Sequence, residues 1–534
     1  MASDPATISW WKTTDHVRIA RIQLGGVVAA LLLGVQFALV LRAQLLSPEG
    51  SLVDTGALGG SLTSHALVLV FLFALPAMPL VVGSLVLPSM VGARDFAFPA
   101  LNRITLQLYL ASWVLLAVAM IGGAMDTAWR VPPMADGVST WPVALAAVGL
   151  HLLGLTLAGS ALNLLATVAF ERSTQLSLGE VPVLVWGMTA GAAVQLLVST
   201  ALASLGMLLF FEHATSATVF GGLAADPLAY ERLFDFIVHA GVAVVLLPAI
   251  GVAFEVVATF SRQAPAGGRS NALALGALAL LSLGGSGISL LNDGASVATM
   301  VAYSGISLLA LVPATLLLYN LMATLVGGAI EVSAALLHAL NFVVFITIGG
   351  LSGLFLATLS TGAYLQGSLF DSAHLHFLLG GGAIAGLTTA LYYWWPRLTG
   401  HSTRELWGRL GAGLLFAGYL LAFLPDFVEG SRGLSTLAVF ASPALASLEA
   451  VKALGTGILV LGVLVICWDF FSSLLRESQA AANPWGATTR EWLGEAVASE
   501  DGSAGTIKPY DFAALRFDPR IDSYVLVESN VVNE

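Results

Sequence analysis

Two histidines two residues apart, His374 and His376, open the apolar stretch DSAHLHFLLGGGAIAGLTTALYYWWPRLTG from Asp371 to Gly400. Successive residues of an α-helix are rotated by about 100°, so these two side chains point to opposite sides of their helix. One metal ion cannot easily take both. A helix that offers imidazoles in two directions suits two cofactors, one on each side, and buried imidazole is a common axial ligand of haem iron.

The elements that must position these histidines are membrane spans. The 534-residue chain is 57% hydrophobic and 10% charged, with 56 glycines, a composition outside the range of soluble globular proteins. Twelve apolar segments are long enough to cross a bilayer, near 18–44, 62–91, 104–123, 141–170, 183–212, 232–261, 271–291, 298–327, 333–360, 372–396, 406–425 and 447–475. The expected fold is an all-α polytopic membrane protein of twelve transmembrane helices. A short segment 1–17 precedes the membrane domain 18–475, and a tail 476–534 follows it. The net charge of −11 comes largely from the tail, which reads as solvated; membrane binding rests on apolar length and not on net charge. Nothing points to nucleic acid. The single cysteine, Cys467, excludes disulfide frameworks and thiolate metal clusters. The polar N-terminus shows no signal-peptide apolar region.

Of 21 Lys and Arg residues, an inside N-terminus leaves only Arg42, Arg130, Arg232, Arg432 and Lys452 in outer segments. The positive-inside rule therefore puts both termini in the cytoplasm, and a bacterial inner membrane is the expected location. Even-numbered spans then enter from the outer face. His65 in span two, His239 in span six and both His374 and His376 in span ten fall near outer helix ends. A lone intramembrane histidine usually makes a polar interhelical contact; four at one depth favour cofactors.

The chain resembles subunit I of the haem-copper oxidases, closest to the aa3-type branch. The resemblance runs in order through WWKTTDHVRIA (10–20), TSHALVLVFLF from Thr63, GGLAADPLAYERLFDFIVHAG (221–241), NFVVFITIGGLSGLFLATLS (341–360), HLHF (374–377) and NPWGATTREW (483–492). It implies that His65 and His376 are the axial ligands of a low-spin haem and His374 the proximal ligand of a second, the haems being a- or b-type. It also implies that Trp129 lies near haem propionates, with an interfacial aromatic anchor as the alternative. Implied partners are subunits resembling oxidase subunits II and III, with cytochrome c or quinol as electron donor. His151 has a family counterpart too, and a structural hydrogen bond is its expected role.

Several positions depart from the family pattern. The family's sixth span carries His-Pro-Glu-Val-Tyr, contributing a copper ligand, a proton-relaying glutamate and a tyrosine joined to a copper ligand; here the stretch reads His239, Ala240, Gly241, Val242, Ala243. The adjacent histidine pair that completes the family's copper site is replaced around Asn292 and Asp293. Leu317 occupies the place of the span-eight lysine. Asp95 and Asn102 retain the entrance of the other proton path, while Gln366 and Gly367 stand at the family's magnesium-binding pair. The propionate-binding arginines are not recognisable in LAFLPDFVEGSRG. Copper is therefore expected to be absent, with His239 a remnant of its site. Asp235, one helical turn before His239, and Asp293 are candidates for a remodelled polar or metal site with it.

These residues point to a haem-binding electron-transfer or assembly subunit of a respiratory complex, without copper-dependent oxygen reduction. An active terminal oxidase using cytochrome c or quinol, or a nitric oxide reductase, with a remodelled distal metal site is the alternative. A transporter is disfavoured because no related halves are visible.

Overall fold

The computed structural model describes residues 10–46, 55–125, 140–215, 219–220, 227–290, 296–435, 446–477, 480–493, 508–518 and 523–526. Twelve helices form the bundle: α1 (His16–Leu45), α2 (Ala57–Met90), α3 (Pro99–Ile121), α4 (Trp141–Glu171), α5 (Val183–Ala214), α6 (Pro227–Ser261), α7 (Arg269–Leu290), α8 (Val297–Val326), α9 (Ala334–Ala357), α10 (Leu369–Thr399), α11 (Glu405–Gly430) and α12 (Ala446–Leu474). Among the described residues, eleven of these are long and apolar enough to cross a membrane, α7 being the exception.

Chain neighbours pack side by side along most of the bundle, and α1 meets α12 to bring its ends together. Within the apolar window of each span, α2 is 83% buried and α6 and α10 are 78% buried, against 11% for α8. The three most enclosed spans are therefore the ones that carry His65, His239, His374 and His376. Close approach is built from small residues, the usual solution where lipid removes the hydrophobic drive between helices. A Cβ on Gly154 of α4 would lie 2.5 Å from the Ala203 backbone nitrogen, and one on Gly206 of α5 would lie 2.6 Å from the Ala147 carbonyl oxygen.

Local signals in the sequence account for helix ends. Asp15 caps α1 by accepting from the Arg18 N–H at 2.7 Å, and α10 stops at Gly400, whose φ of 79° suits a residue without Cβ. Spans α2 and α10 also widen into π-helical turns, at Val68–Ala74 and Ala77–Gly83 around Pro76 in α2, and at His376–Gly381 in α10. Such turns recur at functional sites because they re-aim side chains.

The tail is not simply solvated. Trp485 donates its indole N–H to the Tyr393 carbonyl at 2.8 Å, and Tyr510 donates to Glu255 at 2.7 Å. Arg262 reaches the carbonyls of Trp485 and Gly486 and the Tyr524 hydroxyl. A small antiparallel hairpin, β1 (Leu515–Asp518) with β2 (Ser523–Leu526), carries Tyr524. Aromatic residues spaced along an acidic segment anchor it where span ends would otherwise leave polar groups unsatisfied.

Candidate functional site

His374 and His376 leave α10 toward different neighbours. His374 turns to α9, where its Nδ1 lies 2.9 Å from the Gly349 carbonyl and 3.0 Å from Ser352 Oγ. The cradle is tight: a Cβ on Gly353 would meet His374 Cε1 at 3.1 Å. His376 turns to α2 and α11. Its ring is 6.4 Å from that of His65 with planes 26° apart, and Phe423 stacks on it at 4.3 Å. Tyr419, one turn before Phe423, donates its hydroxyl to the His376 carbonyl at 2.7 Å.

The tautomers follow from the partners. Nδ1 of His65 meets the Gly34 carbonyl at 3.0 Å, and Nδ1 of His376 meets the Ser372 carbonyl at 2.7 Å. A carbonyl only accepts, so Nδ1 carries the proton and Nε2 keeps its lone pair. The same holds for His374 on Gly349 and for His239, whose Nδ1 lies 2.8 Å from the Asp235 carbonyl. It also holds for His151, on the Ala203 carbonyl at 2.8 Å. The tautomer therefore permits ligation without selecting the ligands; what distinguishes His65 and His376 is that their ring centres lie 6.4 Å apart.

Their spacing fits one metal ion between them. Metal-to-imidazole bonds of about 2 Å separate two ligating nitrogens by about 4 Å, and the ring centres lie a further ring radius out on each side, which is where 6.4 Å falls. The backbone carbonyls that hold both Nδ1 protons are the outer partners expected of ligating imidazoles. Bis-imidazole ligation of a haem iron thus fits the residues present.

On the other side of α10, His239 lies within electrostatic reach of His374. Asp235 gives His239 its backbone carbonyl, whereas the sequence spacing suggested a carboxylate contact; Tyr303 of α8 lies within electrostatic reach of Asp235 and of Asp371. Tyr303 was not identified from the sequence, since a tyrosine in an apolar span reads as packing. Among the described residues, no group of three His, Cys, Asp or Glu side chains gathers as a metal-binding set. Trp129 and Asp293 lie outside the described residues.

Asn102 sits near Ser84, at 3.5 Å, and Asp95 accepts from the Phe96 N–H at 2.7 Å. Burial pushes the Asp95 carboxyl above its ordinary pKa. Leu317 is buried, and a Cβ on Gly241 would touch Leu75 at 3.0 Å. His338 is fully buried, with Thr388 Oγ 3.0 Å from its Nδ1 and Tyr392 stacked on its ring at 4.9 Å.

The sequence also missed a buried ionic cluster just beyond the histidine pair. Lys452 of α12 is 1% exposed and pairs with Asp426 and Glu429 of α11 and with Glu449 of α12, while Arg42 of α1 reaches Asp426 and Glu449. At the end of a span, a lysine reads as a loop charge.

Residues 18–468 match the family model for cytochrome c and quinol oxidase polypeptide I. The chain is similar to cytochrome c oxidase subunit 1 of Synechocystis sp., 29% identical over 462 residues that cover 86% of this chain and 84% of the relative. It is also similar to the alternative cytochrome c oxidase subunit 1 of Bradyrhizobium diazoefficiens, 29% identical over 524 residues covering 91% and 87%. Its fold is similar to that of a solved heme-copper terminal oxidase dimer, with a TM-score of 0.74 at 15% identity over 86% of this chain and 85% of that one.

Proposed function

Because the chain belongs to the cytochrome c and quinol oxidase polypeptide I family, we propose that this integral membrane protein is a haem-binding respiratory subunit that transfers electrons without copper-dependent oxygen reduction. The observation that carries this reading is the facing of His65 and His376 at 6.4 Å. His65 and His376 hold the low-spin haem, and His374 holds a second. A bound haem supplies one-electron redox chemistry. The chain supplies orientation: Gly34 and Ser372 fix the two ring tautomers, and Phe423 shields the His376 face.

Subunits resembling oxidase subunits II and III are the expected partners, with cytochrome c or quinol as donor. The reading against copper rests on the ligand inventory: between His239 and His338 the sequence holds no histidine, and leucine and glycine stand where the family has its lysine and glutamate. Pigment, iron and copper analysis of the purified protein tests it, with two haems and less than one copper per chain expected.

One observation favours a second reading. Asp235 and Asp371 each lie within electrostatic reach of Tyr303, and Asp371 and His239 within that of His374, which suits a terminal oxidase with a remodelled distal centre. Cyanide-sensitive oxygen consumption that disappears in His239→Ala would establish that reading instead.

A further inference from the structure

A groove between α4 and α5 lies apart from the site described above. It is lined by His151, Leu155 and Ala158 of α4 and by Thr200, Ser204 and Met207 of α5, and it encloses about 520 Å³. Positions three or four residues apart share one helix face, so each helix turns a continuous strip toward it. Leu155 and Leu208 are exposed along its rim. In a membrane-spanning bundle that rim meets lipid. His151 lies ten residues from Trp141 at the end of α4, and Ser204 lies ten residues from Ala214 at the end of α5. At 1.5 Å per residue each is about 15 Å below its helix end, half of a hydrocarbon core about 30 Å thick.

The polar side chains of the groove only accept. His151 Nδ1 donates to the Ala203 carbonyl at 2.8 Å, which leaves the Nε2 lone pair, and among the described residues no donor meets it. Thr200 donates its hydroxyl to the Leu196 carbonyl at 2.7 Å, and Ser204 donates to the Thr200 carbonyl at 2.9 Å. Both hydroxyl protons are engaged within α5, and only oxygen lone pairs remain. An acceptor facing hydrocarbon is costly to leave unmatched. A ligand that matches it brings a hydrogen-bond donor, carries no charge and dissolves in the bilayer core.

Dimensions select a small molecule over a partner helix. The groove covers two turns of each helix, from His151 to Ala158 and from Thr200 to Leu208, about 12 Å at most, whereas a spanning helix would lie along about 30 Å. Its volume is that of a small-molecule pocket, about 300–1,000 Å³. Depth selects further. A ring alcohol anchored at the membrane surface would hold its hydroxyl half a membrane away from His151. A hydroquinone ring on an isoprenoid tail is flat, uncharged and carries two hydroxyl donors, and its tail keeps it in the core.

We propose that this groove binds the reduced, dihydroxy form of a lipid-soluble quinone, with His151 Nε2 as the principal acceptor. The oxidised quinone offers only carbonyl acceptors, which would face the lone pairs of the groove with no proton between them, so the site selects the reduced form. The inference concerns binding alone. It stands apart from the haem assignments, because His65, His239, His374 and His376 lie on neither α4 nor α5.

Photolabelling of the protein purified with its native partner subunits, in lipid nanodiscs, tests this. The probe is a decyl-benzoquinol with a diazirine on its tail, kept reduced under anaerobic conditions with excess dithionite, and mass spectrometry locates the label. Label is expected on α4 and α5 around the groove. Unlabelled decyl-benzoquinol should displace it at concentrations about tenfold below those the matching quinone requires, with the quinone arm run without reductant, as one hydrogen bond to an otherwise unmatched acceptor implies. His151→Phe should remove that preference. Ser204→Leu, at an exposed position, fills the groove and should abolish the labelling; should His151→Phe fail to fold, this variant and the wild-type ratio decide. Equal competition by quinol and quinone, displacement by a sterol and not by the quinol, or labelling that persists in Ser204→Leu overturns the proposal. A groove left unlabelled because a partner subunit covers it overturns it as well.

Discussion

His65 and His376 come from the second and tenth spans, yet their rings face each other 6.4 Å apart with each Nδ1 held by a backbone carbonyl. The pair should act as one unit. His65→Ala and His376→Ala are each expected to abolish the same low-spin haem band in the reduced-minus-oxidised spectrum, because bis-imidazole ligation fails when either ligand goes. Retention of that band in either variant would remove the corresponding histidine from the assignment.

His374 faces α9 and not α2. His374→Ala should therefore leave the low-spin band in place and remove a second haem, read as a loss of one of two haems per chain by pyridine haemochrome assay. A wild-type protein with a single haem that is indifferent to this change would show that only the His65 and His376 pocket is used.

Reducing oxygen to water needs several electrons and protons delivered to one centre, which the family provides through iron, copper, a tyrosine and its proton paths. Here the family's glutamate and lysine positions are Gly241 and Leu317. Purified protein should contain iron without stoichiometric copper and show no coupled oxygen uptake. One copper per chain by elemental analysis would overturn this expectation.

Lys452 is enclosed by Asp426, Glu429 and Glu449. Lys452→Met should destabilise the protein by about 3–5 kcal/mol, the usual effect of removing one partner from a buried charge group. Adding Glu429→Gln should recover part of that loss, because one fewer carboxylate is left unmatched. Thermal denaturation in detergent measures both; a single variant as stable as wild type would show that the cluster is hydrated.

Close packing holds α11 against the start of α10. A Cβ on Gly430 would collide with the Phe370 backbone, whereas one on Gly413 would meet nothing within 4 Å. Gly430→Ala should cost about 1–3 kcal/mol or more through overpacking and broaden the low-spin band. Gly413→Ala should match wild type in both measurements.

Much of this architecture was legible in the sequence because its signals are local. Hydropathy over about 20 residues marks a span, and helical periodicity alone sends His374 and His376 to opposite sides. Motif order then supplied the family. Tertiary structure decided which groups meet. Asp426 and Glu429 on α11 converge on Lys452 of α12, and Tyr303 of α8 comes near Asp235 of α6 and Asp371 of α10. A lysine at a span end reads as an interfacial charge and a tyrosine within a span as packing, because neither local pattern records what a distant helix brings against it. The packing of α1, α11 and α12 encloses the charges, and enclosure turns an ordinary set of span-end residues into a buried ionic site.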